Sequence, residues 1–160
     1  MKTGAQRMDS VVQAILPVSG RFGLVIPLAP PRRTTRLRVL LVEDDEADVY
    51  LVRRALANNP RVAEVLVARD GVEALELIDN GSAAPDLAIV DLHMPRKDGF
   101  ALLRDFASRG SDPFPAVVLT SSKAGADAYR SKKRGAMEFL VKPNTVEKLT
   151  TALDQVISRI

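Results

Sequence analysis

The sequence predicts an α/β fold, a doubly wound five-stranded parallel sheet with helices on both faces. Three observations carry it. Short apolar runs alternate with stretches of helical periodicity from residue 37 to residue 160, the pattern of consecutive βα units. Those runs end in residues that carry chemistry, as strands do at the crevice of an open α/β sheet. The composition, 46% hydrophobic and 27% charged over 160 residues, suffices for one buried core and leaves little room for a second.

Residues 1–36 break this pattern. They contain Pro17, Pro27, Pro30 and Pro31 and close on Pro-Pro-Arg-Arg-Thr-Thr-Arg, a composition that favours extended or disordered chain over packed structure. A basic, proline-containing N-terminal extension is therefore expected before a domain spanning residues 37–160. The extension also carries the basicity. Lys2, Arg7, Arg21, Arg32, Arg33 and Arg36 against Asp9 give it +5, so the formal +3 of the chain leaves −2 on residues 37–160. The pI near 9.4 is thus no argument for nucleic-acid binding by the domain. Val11–Leu16 is too short and too poorly flanked for a secretory signal. No apolar run approaches the roughly 20 residues of a membrane helix, and the expected location is cytoplasmic, with no membrane partner.

Taken in order, the first strand is expected at Leu37–Val42, and the helix after it carries Leu51, Val52, Ala55 and Leu56 on one stripe. Ala63–Ala68 and a helix with Val72, Leu75 and Ile78 form the second unit. Asp86–Val90 and a helix with Leu102, Leu103 and Phe106 form the third. Pro115–Leu119 is the fourth strand. Its helix, Gly125–Arg134, is poor in apolar residues and closes on Arg130, Lys132, Lys133 and Arg134, where cations complement the helix dipole. Ala136–Val141 is the fifth strand. The last helix, Thr145–Ile160, places Val146, Leu149, Leu153, Val156 and Ile160 on one face.

The strand ends carry the functional signal. Glu43-Asp44-Asp45 follows the first strand, Asp91 the third, Thr120-Ser121-Ser122 the fourth and Lys142-Pro143 the fifth. The absence of cysteine and the single histidine, His93, exclude thiolate and multi-histidine metal sites. Any metal is then held by oxygen, and clustered carboxylates at one sheet edge favour magnesium. A carboxylate beside such an ion can be the nucleophile of phosphoryl transfer. An ammonium and a hydroxyl nearby would meet the charge on the phosphoryl oxygens, and Lys142 and Thr120 supply both. Singly these residues read as bland: a strand-end Asp is most often a turn or cap residue, a lone Lys is solvated, and Phe139 is a β-forming core residue. Four matched strand ends weigh the other way.

Val42-Glu-Asp-Asp, Asp91-Leu-His-Met-Pro-Arg-Lys-Asp-Gly, Leu119-Thr-Ser-Ser and Val141-Lys-Pro together resemble the receiver domains of bacterial response regulators. The resemblance covers about residues 37–160 and implies a flavodoxin-like sheet of order 2-1-3-4-5. It implies that Asp91 is the phosphorylated aspartate. Glu43, Asp44, Asp91 and the backbone carbonyl of His93 then position Mg2+, with the His93 imidazole outside the ligand set. Thr120 becomes the switch hydroxyl, Lys142 the phosphoryl-binding lysine and Phe139 the aromatic that changes rotamer. Lys142-Pro143 resembles the family's cis X-Pro bond, which aims the lysine into the site. Asp45 is expected at the entry to the first helix.

The implied function is that of a single-domain response regulator, a phosphoacceptor rather than a turnover enzyme. A sensor histidine kinase is its phosphoryl donor. A downstream protein, a phosphorelay partner or a second copy of the chain is its output. The loop after Asp91, the Glu-Asp pair and the basic-tipped fourth helix are most similar to small regulators of bacteriophytochrome kinases. Two other readings stand beside this one. A receiver-fold binding module would work without phosphate. A haloacid-dehalogenase-type phosphohydrolase shares the strand-end aspartate and magnesium, but requires a second acid where this chain has His93. A nucleotide-binding module is disfavoured, since neither a Walker loop nor G-x-G-x-x-G follows the first strand.

Overall fold

The computed structural model describes residues 36–109 and 114–160. The expected N-terminal extension lies outside the described residues apart from Arg36. Ten elements alternate along the chain: β1 (Leu37–Val42), α1 (Glu46–Leu56), β2 (Val62–Ala68), α2 (Gly71–Asp79), β3 (Leu87–Val90), α3 (Gly99–Ser108), β4 (Ala116–Thr120), α4 (Gly125–Lys133), β5 (Glu138–Val141) and α5 (Val146–Ile157). The sheet runs β2-β1-β3-β4-β5 with every neighbouring pair parallel, the order the resemblance implies.

The alternation of side chains across a strand divides the core in two. Val39 and Leu41 of β1 face α1 and α5, where Val52, Leu56, Leu149, Leu153 and Val156 close over them. Leu40 and Val42 face the other way, onto Leu102, Leu103 and Phe106 of α3. Every residue of the central strands β3 and β4 is buried, as a parallel sheet covered on both faces requires. The edge strand β5 has no fully buried residue.

Register and caps bring the functional residues to one edge. Val42 pairs with Ala68 on one side and Val90 on the other, and Thr120 pairs with Val141, so the strands end level with one another. Helices α1, α2, α3 and α5 start beside that edge with the side-chain caps Asp45, Asp70, Asp98 and Thr145, each satisfying N–H groups of a first turn. Helix α4 differs. It has no side-chain cap, and Ser131 is its one buried residue. Its contact with α3 is a cation–π stack, the Arg130 guanidinium 4.0 Å from the centre of the Phe100 ring.

Several boundaries move by one to three residues relative to the sequence reading, two of them for a visible reason. β4 includes Thr120 because the ladder with β5 continues to that residue, and α5 stops at Ile157, where the N–H of Ser158 closes on Asp154. Among the described residues no helix is long and apolar enough to cross a membrane.

Candidate functional site

The β1–α1 corner shows how three consecutive acids acquire three environments. The N–H of Glu43 donates to the Ala68 carbonyl at 2.9 Å, which turns its side chain into the sheet edge, where it is 2% exposed. Asp44 is exposed. Asp45 caps α1, accepting from the N–H groups of Ala47 at 2.8 Å and Asp48 at 3.1 Å, the helix-entry position the sequence indicates.

The β3–α3 corner supplies Asp91. Its N–H donates to the Val42 carbonyl at 3.0 Å, and the N–H of His93 donates back to the Asp91 carboxylate at 2.9 Å. The His93 imidazole itself is exposed. Gly99 lies so close beneath this corner that a Cβ there would fall 2.2 Å from the Asp91 carbonyl oxygen, a separation no larger side chain tolerates. The loop between is tied to α2: the N–H of Gly71 donates to the Lys97 carbonyl at 3.2 Å, and the Arg96 guanidinium pairs with the buried Asp70.

Carboxylate oxygens of Glu43, Asp44 and Asp91 lie within 4.8 Å of one another. Lys142 approaches from β5, its Nζ 2.7 Å from Glu43, 2.6 Å from Asp48 and 3.7 Å from Asp91. One ammonium does not offset that much negative charge. Burial pushes the Glu43 carboxyl up to about 7 despite its bond to Lys142, with the Asp91 charge adding to the rise. Burial opposes the charge on Lys142, yet its bonds to Asp48 and Glu43 prevail and push it up to about 12. An all-oxygen cluster with surplus negative charge is the donor set a hard divalent cation prefers, so the residues present fit magnesium.

The remaining expected residues take their places around this centre. Thr120 is buried at the end of β4, and its hydroxyl oxygen accepts from the Ser122 N–H at 3.4 Å. Phe139 is half-buried and packs against the core on the α2–α3 side. The cis Lys142-Pro143 bond implied by the resemblance is corrected: no described peptide bond is cis. The ladder aims the lysine without it, because the N–H of Lys142 donates to the Thr120 carbonyl at 2.8 Å and carries the β4–β5 pairing one residue further.

Sequence reasoning missed Asp48. An acid in the first turn of a helix reads as a complement to the dipole, and its contact with Lys142 spans 94 residues. It also missed Asp70 and Arg96, whose pairing joins two loops distant in sequence.

Comparison with known proteins decides the family. Residues 39–154 match the response regulator receiver domain. The chain belongs to that family. The response regulator MprA of Mycobacterium sp. (strain KMS) is 37% identical over 123 residues, covering 77% of this chain and 51% of the relative. This receiver-family chain therefore spans about half the length of that relative. The phosphorylated cyanobacterial phytochrome response regulator RcpA superposes with a TM-score of 0.68 at 30% identity, covering 76% of this chain and 91% of the other. The Mn(2+)-bound form of response regulator Rcp1 gives 0.68 at 29% identity, covering 76% and 92%. The acidic cluster Glu43, Asp44 and Asp91 is thus the acidic pocket of a receiver domain.

Proposed function

We propose that this receiver domain accepts a phosphoryl group on Asp91 from a sensor histidine kinase in a magnesium-dependent reaction and signals through a changed protein-binding surface. The observation that carries the reading is the convergence of Glu43, Asp44 and Asp91 with the Lys142 ammonium at one sheet edge. An Asp91 carboxylate oxygen forms the O–P bond as the P–N bond of a phosphohistidine breaks, and the departing imidazole takes up a proton. Glu43, Asp44, Asp91 and the His93 carbonyl would hold the ion. When bound, Mg2+ neutralises charge on the phosphoryl oxygens.

Lys142 supplies a second positive charge, and Thr120 supplies a hydroxyl from the neighbouring strand end. Phe139, half-buried and paired with Val118 two residues before Thr120 in the β4–β5 ladder, is positioned to repack when Thr120 moves. The readout surface is then α4 and β5, where Tyr129 and Val141 are exposed beside Arg130, Lys132 and Lys133. This surface suits a downstream protein, a phosphorelay partner or a second copy of the chain. Similarity to the phosphorylated cyanobacterial phytochrome response regulator RcpA supports a phytochrome-type kinase as the donor, and with it a cytoplasmic, single-domain regulator.

The test is intact mass after incubation with acetyl phosphate, a small-molecule donor. The wild type gains one phosphoryl group only when magnesium is present, and Asp91→Asn gains none. An adduct of normal yield on Asp91→Asn sinks the assignment. A folded wild type that never gains the group favours the phosphate-independent binding module.

A further inference from the structure

Both short contacts of the Lys142 ammonium are to groups other than the proposed phosphoacceptor: Glu43 at 2.7 Å and Asp48 at 2.6 Å, against 3.7 Å to Asp91. Glu43 belongs to the acidic cluster, and a cation seated there competes for its charge. Asp48 does not belong to it. It sits in the first turn of α1, three residues beyond the cap whose carboxylate accepts its N–H, so its backbone is fixed by a helix start. It is therefore the acceptor that stays available to Lys142 when the cluster holds a metal.

We propose that Asp48 is a positioning residue that holds the Lys142 ammonium away from Asp91 and the metal until a phosphoryl group arrives. The inference deepens the phosphoacceptor reading and rests on it for its kinetic part. The physical case has two steps. An ammonium that shares its bonds with an acid outside the cluster repels an incoming divalent cation less than one whose only acceptors are Glu43 and Asp91. The same bond must be given up when the ammonium moves onto the transferring phosphoryl oxygens, so it stabilises the ground state more than the transition state and slows the transfer. Loss of the Asp48 charge then acts in two directions, weakening metal binding and speeding phosphorylation once metal is saturating. General disruption of the corner would impair both.

The deciding experiment is a double-mutant cycle on Mn2+ affinity, read from the electron paramagnetic resonance of free Mn2+, with Asp48→Asn, Lys142→Met and the double variant. Asp48→Asn is expected to weaken Mn2+ binding about fivefold, the order of one charge-assisted hydrogen bond at a partly exposed site, and to do so by less than about twofold in the Lys142→Met background. Asp48→Glu, which keeps the charge, restores affinity. Equal losses in both backgrounds, or no loss, overturn the proposal. At saturating magnesium, the initial rate of adduct formation from acetyl phosphate is expected to rise about fivefold in Asp48→Asn. A slower rate overturns it too, since Asp48 would then aim the lysine at the phosphoryl group. A wild type that forms no adduct while the Mn2+ cycle behaves as stated refutes the phosphoacceptor reading and leaves the holding role of Asp48 intact.

Discussion

Asp70 and Glu43 are both carboxylates at the carboxyl edge of the sheet, and both are 2% exposed, yet the protein treats them oppositely. Asp70 accepts from the N–H groups of Val72 and Glu73 and pairs with Arg96. Burial raises its carboxyl, but those backbone bonds and the guanidinium outweigh it, and the group sits below the ordinary carboxylate range. Glu43 has one cation, shared with Asp48 and close to Asp91, and burial lifts its carboxyl to about 7. The first acid is fully answered by its own chain. The second is left short of positive charge, in the one place where an external cation and a phosphoryl group are proposed to bind. Burial outweighs the partners of Glu43 and is outweighed by those of Asp70.

Replacing each acid should expose the contrast. Asp70→Ala removes the cap of α2 and the partner of Arg96, a residue at φ 58 in the loop behind Asp91. It is expected to cost about 2 kcal/mol in urea unfolding at pH 7. Because the folded-state carboxyl is depressed, the contribution of Asp70 is present above its ordinary pKa and is lost as pH falls through the lower folded value. Asp70→Ala should therefore show a flatter acid limb than wild type.

Glu43→Gln should act in the other sense. Burial, aided by the Asp91 charge and opposed by Lys142, raises the folded-state carboxyl from 4.5 to about 7. In chelator the folded protein holds that proton more tightly than the unfolded chain, so stability is greatest below the unfolded value and declines as pH rises from there through 7. Glu43→Gln is expected to abolish that decline and to stabilise the metal-free protein by about 1 kcal/mol at pH 8, while weakening Mn2+ binding. A destabilised Glu43→Gln in chelator would mean that Lys142 satisfies Glu43 after all, and the contrast with Asp70 would collapse.

How far the sequence reached follows the same division. The strands and the edge that gathers Glu43, Asp44, Asp91, Thr120 and Lys142 were legible because periodicity and strand-end position are local properties of the chain, while the strand order followed from the family resemblance of the strand-end motifs. Asp48, Asp70 and Arg96 were not. Each acts through a partner on another element, and each has an ordinary local reading as a dipole complement, a cap or a solvated loop cation. The trans Lys142-Pro143 bond belongs with these, since the direction of Lys142 comes from the β4–β5 ladder, a tertiary feature.

Asp45 provides the finest test, being adjacent to both kinds of acid. It follows two residues of the cluster, yet its carboxylate is turned to the N–H groups of Ala47 and Asp48 and caps its helix as Asp70 caps α2. Asp45→Ala is expected to cost about 1 kcal/mol, the usual value of an N-cap, and to leave the yield of acetyl-phosphate adduct within about twofold of wild type. Asp45→Asn, which keeps a capping oxygen, should recover most of the stability, because a cap needs an acceptor more than a charge. A large loss of adduct in Asp45→Asn, with the fold intact, would place the Asp45 charge in the site and extend the cluster to three consecutive acids. Retained yield would draw the boundary between the cluster acids and the capping acid between Asp44 and Asp45, one peptide unit from the acidic edge.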